Sequence, residues 1–278
     1  MGKPIFIAGA TATGKSAVAL EVAKKIGGEI ISVDSMQVYR KMDIGTAKPT
    51  AEQREQTPHH IIDCTTISEG FDAARFVREA ENKKTKIEHP IFCGGTGLYF
   101  QAWIEGLGEA PPGDPKIRMT LEDTPTQDLL RELKEKDPAT YKSIDPHNPR
   151  RIIRAVEVIR ITDKPFSEQK AEWTNRAPKN FFLLERAAQD LRNRIEGRVE
   201  KMFERGLVEE TCSLQSELEN NPIAQQALGY RQVIGHLRGE QSLPETINLV
   251  KSRTWQYAKR QKTWFRKKTG AREVGVPE

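Results

Sequence analysis

The chain has 278 residues, a length that suits one large domain or a domain with a second one inserted. Its net charge of +5 is a weak excess, compatible with a polyanionic partner but insufficient to indicate one. The three scattered cysteines exclude a C-x-x-C zinc site and a disulfide framework, and no apolar run is long enough for a signal peptide or a membrane helix. We therefore expect a soluble protein of the reducing cytoplasm that has no membrane partner.

A glycine-rich motif follows the first predicted strand, residues 3–8. It reads G-x-x-x-x-G-K-S and consists of Gly9, Ala10, Thr11, Ala12, Thr13, Gly14, Lys15 and Ser16. A strand before the motif and a helix after it, at 16–26, are the context of a phosphate-binding loop, in which backbone N–H groups face phosphate oxygens. Lys15 would reach the terminal phosphates, and the Ser16 hydroxyl would bind Mg²⁺. The alternative is a glycine turn before an ordinary helix, which would bind nothing.

A second parallel strand is predicted at residues 29–33, and it ends in Asp34. Ligands of open α/β sheets bind at the carboxyl ends of the strands, so this acid is a candidate for chemistry. Alternatively, its side chain could cap a helix that begins at Met36. Residues 36–57 are predicted to be an irregular loop beside the active edge, and residues 59–63 a third strand.

A second glycine turn follows another predicted strand. An amphipathic helix at 71–88 leads to a strand at 90–93, which continues into the segment 94–99, Gly-Gly-Thr-Gly-Leu-Tyr. This turn offers backbone N–H groups and the Thr96 hydroxyl to an anion. Two such turns at one sheet edge would face each other, so we expect them to hold a diphosphate from both sides.

A helical insertion is predicted at residues 111–178, where the chain becomes charged and loses its strand pattern. Within it Arg150 and Arg154 are i,i+4 neighbours on one helix face. They could contact RNA phosphates or pair with acids such as Glu157, and the sequence favours neither interpretation. Residues 181–185 then return to a buried-strand pattern, which we interpret as the last parallel strand of the core.

The remainder of the chain is predicted to be helical. Helices are expected at 191–204, through residue 217, and from residue 227 onward, the last with Arg231 near its start. The segment 251–268 contains no acidic residue and interleaves aromatic with basic side chains, as nucleic-acid-binding surfaces do. The aromatic residues could instead form the core face of this helix, and both interpretations can hold at once.

The motifs, taken in order, resemble those of the tRNA dimethylallyltransferases, also called tRNA isopentenyltransferases, of bacterial type. The resemblance spans nearly the whole chain and is far more specific than its phosphate loop alone. It rests on the phosphate loop and on the segments 31–35, 42–49, 94–99, 149–157, 229–232 and 259–266.

This resemblance implies a P-loop NTPase-like α/β core over residues 1–110 and 179–278, and a helical insertion over 111–178 that contacts the tRNA anticodon stem-loop. The implied reaction moves the dimethylallyl group of dimethylallyl diphosphate to N6 of the adenosine directly 3′ of the anticodon, in tRNAs that read codons beginning with U. A monomer is also implied.

Roles for individual residues follow from the resemblance and from the chemistry. Asp34 would take the N6 proton as the new C–N bond forms. Lys15, Thr96 and Arg231, with Mg²⁺ at Ser16, would stabilise the leaving pyrophosphate. The target base must leave the anticodon-loop stack to be reached. The implied tRNA contacts are Asp34, Ser35, Met36, Gln37, Thr96, Arg150, Arg151, Arg154, Gly229, Tyr230 and Arg231.

Three other functions compete with this one. An adenylate isopentenyltransferase acting on free adenine nucleotides would share the core but would not need the basic insertion and the basic C-terminal helix. A small-molecule kinase with a P-loop would share the loop and the acid but would turn over ATP. A non-catalytic RNA-binding protein would have no need of the intact Lys15, Ser16, Asp34 and Thr96.

Overall fold

A six-stranded parallel sheet organises the computed structural model, which describes residues 2–275. Its strands are β1 (Ile5–Gly9), β2 (Glu29–Val33), β3 (His59–His60), β4 (Pro90–Gly94), β5 (Phe181–Glu185) and β6 (Arg272–Gly275). They lie in the order β3-β2-β4-β1-β5-β6, with every neighbouring pair parallel. The carboxyl ends of β1, β2 and β4 therefore meet at one edge, which brings together the phosphate loop, Asp34 and the second glycine turn.

The helices occupy the intervals between strands and most of the second half of the chain. They are α1 (Lys15–Ile26), α2 (Ala51–Gln56), α3 (Ala73–Lys84), α4 (Gly97–Glu105), α5 (Pro115–Glu122), α6 (Thr126–Lys136), α7 (Pro138–Ser143), α8 (Pro149–Thr162), α9 (Phe166–Gln169), α10 (Ala188–Glu204), α11 (Leu207–Glu219), α12 (Tyr230–Leu237) and α13 (Leu243–Phe265). This arrangement confirms the predicted α/β class with a parallel sheet flanked by helices.

Alternate residues of the central strands enter two separate cores. On one face, Phe6 and Phe92 belong to a large cluster with residues of α3, α4, α11 and α12. On the other face, Ile7 and Ile91 pack with the buried alanines and leucine of α1. Both faces are thus covered, which explains why the strands are almost continuously apolar rather than alternating.

The predicted strand 59–63 is wrong beyond His60. Ile61 and Asp63 adopt left-handed backbone conformations with φ of 59° and 54°, which end the strand. The Asp63 carboxylate accepts from buried Lys48 at 2.5 Å and from Arg54 at 2.6 Å. These ion pairs draw the chain away from the sheet and toward the preceding loop.

Two other predictions need correction. Residues 36–57 are not wholly irregular, because α2 lies within them and begins in a capping box formed by Thr50 and Gln53. Strand β5 is not the last strand, because β6 pairs with it in parallel at the sheet edge. The polar sequence of β6 is exposed throughout, so it lacks the apolar pattern by which the other strands were recognised.

The chain packs as two compact units, residues 105–174 and the remainder. The first contains α5 to α9 and no strand, and it begins and ends earlier in the sequence than the insertion expected at 111–178. Its two ends are joined to each other, since the Thr174 N–H donates to the Glu105 carboxylate at 2.6 Å and the Trp173 indole donates to the Gly106 carbonyl at 2.9 Å. Leu121, Leu129, Leu133 and Ile152 form its own core.

Candidate active site

The glycine motif has the backbone of a phosphate-binding loop. Ala12 and Gly14 have φ of 65° and 96°, left-handed values that turn successive peptide units. Two arginines hold the carbonyls: Arg194 Nε donates to Ala12 O at 3.1 Å, and Arg186 Nε donates to Thr13 O at 2.9 Å. The C=O and N–H of a trans peptide point in opposite directions. These bonds therefore direct the N–H groups of Thr13 and Gly14 away from the arginines.

A cavity of about 320 Å³ lies beside the phosphate loop. Its polar lining includes Lys15, Ser16, Asp34, Arg198, Tyr257 and Arg260. Its apolar lining includes Met36, Val199, Met202, Leu228 and Val250. One space thus combines phosphate-binding groups, a carboxylate and an apolar wall. The phosphate-binding groups and the acid lie together as predicted for the sheet edge, and the apolar wall is an additional finding.

Asp34 lies in a tight turn and does not cap a helix. Its Oδ1 accepts N–H bonds from Met36 at 2.8 Å and from Gln37 at 3.2 Å, which fixes the carboxylate at the end of β2. The Asp34 hydrogen bonds within residues 2–275 all use Oδ1, so Oδ2 keeps its lone pairs for a substrate.

The second glycine turn adjoins this acid. The Thr96 hydroxyl accepts the Ser35 N–H at 3.2 Å, so the residue after Asp34 is bound directly to the turn. The Thr96 N–H in turn donates to the carbonyl of Val33, the last residue of β2, at 3.1 Å. The two segments predicted to meet at the sheet edge are therefore joined by hydrogen bonds.

Arg198 of α10 is a site residue that the sequence analysis missed. It lines the cavity together with Lys15 and Asp34. Burial lowers the pKa of Lys15 and of Arg198, and the charge of Asp34 partly opposes this in both cases. A signal was present in the sequence: the helical neighbours Arg194, Ile195, Lys201 and Met202 include no acid that could neutralise Arg198.

Gln37 was predicted as a tRNA contact, but its amide is bonded within the protein and is not available to an RNA base. Its Oε1 accepts from the Ser32 hydroxyl at 2.9 Å, and its Nε2 donates to the carbonyls of Thr46 and Ala47 at 3.2 and 3.3 Å. Both ends of the amide are thus used within the protein. Gln37 holds the loop that contributes Thr46 and Ala47 to the cavity wall.

The segment 229–231 also requires correction. Tyr230 is completely buried, and its hydroxyl donates to the Glu210 carboxylate at 2.6 Å, so it cannot contact RNA. Gly229 is buried as well, where its N–H donates to Gln232. Arg231 is exposed and donates to Gln226 at 2.6 Å, and the cavity lining does not include it. The apolar face of α12 points inward, and Arg231 on its exposed side bonds to Gln226, which lines the cavity that Arg231 itself does not line.

Within the helical unit, the arginines of α8 divide into two kinds. Arg154 donates to the fully buried Glu157 at 2.7 Å and to the Pro111 carbonyl at 2.5 Å. The ion-pair interpretation is therefore the one that the structure supports for Arg154. Arg150 and Arg151 lie at the start of the helix with exposed side chains.

Helix α13 combines both interpretations of the acid-free segment. Phe265 is buried in the core, while Lys259 and Arg260 are exposed. Basic and aromatic side chains border a surface depression lined by Gln256, Lys259, Arg260, Thr263, Trp264 and Lys267. Arg260 also lines the cavity beside Asp34, so the depression and the cavity adjoin.

The fold and the site define a P-loop α/β protein whose phosphate-binding loop shares a cavity with an acid and an apolar wall. Comparison with known proteins gives the family. The family profile described as IPP transferase matches residues 37–268. The chain is 42% identical to tRNA dimethylallyltransferase 1 of Citrifermentans bemidjiense, over 95% of this chain and 89% of the relative. It is 43% identical to the protein of the same name in Trichlorobacter lovleyi, over 99% and 94%. The chain belongs to the tRNA dimethylallyltransferase family.

Solved structures agree with this assignment. The full-length tRNA isopentenylpyrophosphate transferase of Bacillus halodurans superposes with a TM-score of 0.71 at 38% identity, covering 99% of this chain and 90% of that one. A eukaryotic dimethylallyltransferase acting on tRNA superposes with a TM-score of 0.80 at 28% identity, over 99% and 74%. Within residues 2–275, every helix is too short or too polar to span a membrane.

Proposed function

We propose that the protein transfers the dimethylallyl group of dimethylallyl diphosphate to N6 of the adenosine directly 3′ of the anticodon, in tRNAs reading codons that begin with U. Family membership supports tRNA prenylation. The observation that carries the proposal is the single cavity that holds the phosphate loop, Asp34 and an apolar wall. An apolar wall beside a phosphate site suits a diphosphate that carries a hydrocarbon chain.

The phosphate loop would bind the leaving group. Lys15 and Arg198 supply positive charge, and the loop N–H groups supply donors, where negative charge grows as the C–O bond breaks. Arg198 takes the role first assigned to Arg231. Thr96 acts through its bond to Ser35 and not as a member of the cavity lining.

Asp34 would accept the proton. As C1 of the allyl group bonds to N6, the amine becomes acidic, and its proton passes to the carboxylate while pyrophosphate leaves from C1. Met202, Leu228 and Val250 would pack on the five-carbon chain beyond its reacting carbon, C1. Exclusion of water by these side chains protects the allyl group from hydrolysis.

RNA would approach the side of the cavity that Arg260 shares with the depression on α13. Arg150 and Arg151 of the helical unit are further proposed phosphate contacts, with Arg154 removed from that set. The flipped adenosine would lie against Ser35 and Met36, which line the cavity next to Asp34. We also propose that the reaction takes place in the cytoplasm, which a tRNA substrate supports, and that the protein works as a monomer.

The residues fit a bound Mg²⁺. Ser16 supplies a hard oxygen donor directly after Lys15 in the cavity lining, and the remaining ligands would be phosphate oxygens and waters, as is usual for this ion. Within residues 2–275 no cluster of three or more acidic, histidine or cysteine side chains offers a cage independent of substrate. When bound, Mg²⁺ would neutralise charge on the leaving pyrophosphate.

The test uses purified protein, Mg²⁺ and radiolabelled dimethylallyl diphosphate, with unmodified tRNA and AMP as alternative acceptors and ATP hydrolysis followed in parallel. We expect label in tRNA alone, at the adenosine 3′ of the anticodon. Label in AMP would move the protein to the branch that acts on free nucleotides. ATP loss without label would identify a kinase.

A further inference from the structure

Gln261 of α13 joins the two glycine turns. Its Oε1 accepts the Thr11 N–H of the phosphate loop at 2.8 Å, and its Nε2 donates to the Gly95 carbonyl of the second turn at 2.9 Å. The residue is buried, with 7% of its surface exposed. A single amide thus spans the two loops and uses both of its ends to do so.

The bond to Gly95 reaches the acid through a short chain of contacts. The peptide between Gly95 and Thr96 is held at both ends, since its carbonyl accepts from Gln261 and its N–H donates to Val33 O at 3.1 Å. The Thr96 hydroxyl then accepts from Ser35, next to Asp34. Two hydrogen bonds, one at Gly95 and one at Thr96, therefore separate Gln261 from the turn that presents the carboxylate.

The bond to Thr11 acts on the phosphate loop. The Thr11 N–H is directed to Gln261, which leaves the N–H groups nearer Lys15 to face a diphosphate. The Gln261 amide also lies very close to the backbone of the second turn, because a Cβ added to Gly95 would lie 2.3 Å from Gln261 Nε2. A glycine is needed at this position so that the amide can reach both loops.

Gln261 lies one turn from Tyr257 and beside Arg260, both of which line the cavity. Trp264 lies about one turn further along α13 and packs against Gly97 of the second turn. The contact is so close that a Cβ added to Gly97 would lie 2.3 Å from the indole ring. The same face of α13 thus contacts the second turn twice and borders the cavity.

We propose that Gln261 is a positioning residue that sets the distance between the phosphate loop and the two joined turns that contain Asp34 and Thr96. This inference rests on the function proposed above. Gln261 lines the cavity, but both ends of its amide are bound to the two loops, so it acts by keeping leaving group and acceptor in line. A misplacement of about 1 Å can cost about 10²-fold in rate.

The experiment compares Gln261→Met, which keeps length and volume but loses both hydrogen bonds, with wild type and with Gln215→Met. Gln215 is a partly exposed α11 residue that bonds to Glu219. Prenylation of tRNA is measured as kcat and as KM for each substrate, per folded protein determined by near-UV circular dichroism. For Gln261→Met we expect a kcat lowered by about 10²-fold and a raised KM for the diphosphate, with the KM for tRNA unchanged.

A second variant keeps the test independent of folding. Gly95→Ala should displace the amide of Gln261, so adding Gln261→Ala to it should lower kcat no further. Additive losses would overturn the proposal, as would a Gln261→Met protein that melts at a lower temperature yet has normal kcat per folded molecule. If wild type and Gln215→Met themselves fail to label tRNA, the proposed function fails first.

Discussion

Helices α8 and α10 both carry arginines four residues apart, yet the structure uses them in opposite ways. In α8, the Arg154 guanidinium donates hydrogen bonds to the fully buried Glu157 and to a backbone carbonyl. In α10, Arg198 forms no ion pair with the residues of 2–275 and lines the cavity that contains Lys15 and Asp34. The first arginine stabilises a fold, and the second is available to a ligand.

The difference comes from the acids within reach. Glu157 lies three residues after Arg154 in α8, so the two side chains are neighbours on the helix surface. Glu157 is buried, and a buried carboxylate without a partner would cost free energy of folding. The helical neighbours of Arg198 are basic or apolar, and the acid whose charge acts on it, Asp34, comes from another element. An arginine with no local acid that faces a cavity is thus the better candidate for binding phosphate.

The largest effect is expected when the acid facing Arg198 is removed. Asp34→Ala should lower turnover by about 10²–10⁴-fold, the contribution of a general base, while tRNA binding is retained. The measurement is single-turnover prenylation together with a tRNA filter-binding assay, and Asp34→Asn separates loss of the base from loss of volume. Near-normal turnover in both variants would remove Asp34 from the mechanism.

Removing Arg198 should weaken the diphosphate site. A hydrogen bond to a charged group contributes about 1.5–3 kcal/mol, so Arg198→Ala should raise the KM for dimethylallyl diphosphate by about 10- to 150-fold. Arg198→Lys should recover part of the loss, because it keeps the charge without the planar fork. The control is Arg192→Ala on the same helix, where an exposed arginine pairs with Glu196. Equal KM values in the Arg192 and Arg198 variants would contradict the proposed role.

Removing Arg154 should affect stability rather than catalysis. Arg154→Ala leaves buried Glu157 with Arg118, at 2.6 Å, as its remaining ion-pair partner among residues 2–275. We expect the free energy of unfolding to fall by about 1–3 kcal/mol, the usual cost of a buried acceptor that loses a partner. Urea denaturation measures this, with Arg131→Ala, an exposed arginine of α6, as the control. Unchanged stability would return Arg154 to the candidates for RNA binding.

The smallest effect concerns the exposed arginines of α8. Replacing Arg150 and Arg151 together by Ala should weaken tRNA binding and flatten the plot of log K against log salt by about 1.4–1.8, for two lost phosphate contacts. Arg154→Ala, measured in parallel, should leave this slope unchanged. If both variants show the wild-type slope, none of these arginines contacts the RNA backbone.

Much of the fold was predictable because its signals are local. The strand, glycine loop and helix at the N-terminus, the strand 29–33 ending in Asp34, and the turn at Thr96 each have a distinct pattern, and parallel pairing brings such strand ends to one edge. Strand β6 and the end of β3 were missed because an exposed edge strand has no apolar pattern and because ion pairs to Asp63 decide where β3 ends.

The site itself depended on contacts distant in sequence. The sequence alone determined the phosphate loop, the acid, the family and the order of the core strands along the chain. Only the tertiary structure decided that Tyr230 is buried, that Gln37 is used internally and that Arg198, not Arg231, lines the cavity. The physical reason is that a side chain's role depends on which groups surround it, and the partner of Thr11 at Gln261 is 250 positions away along the chain.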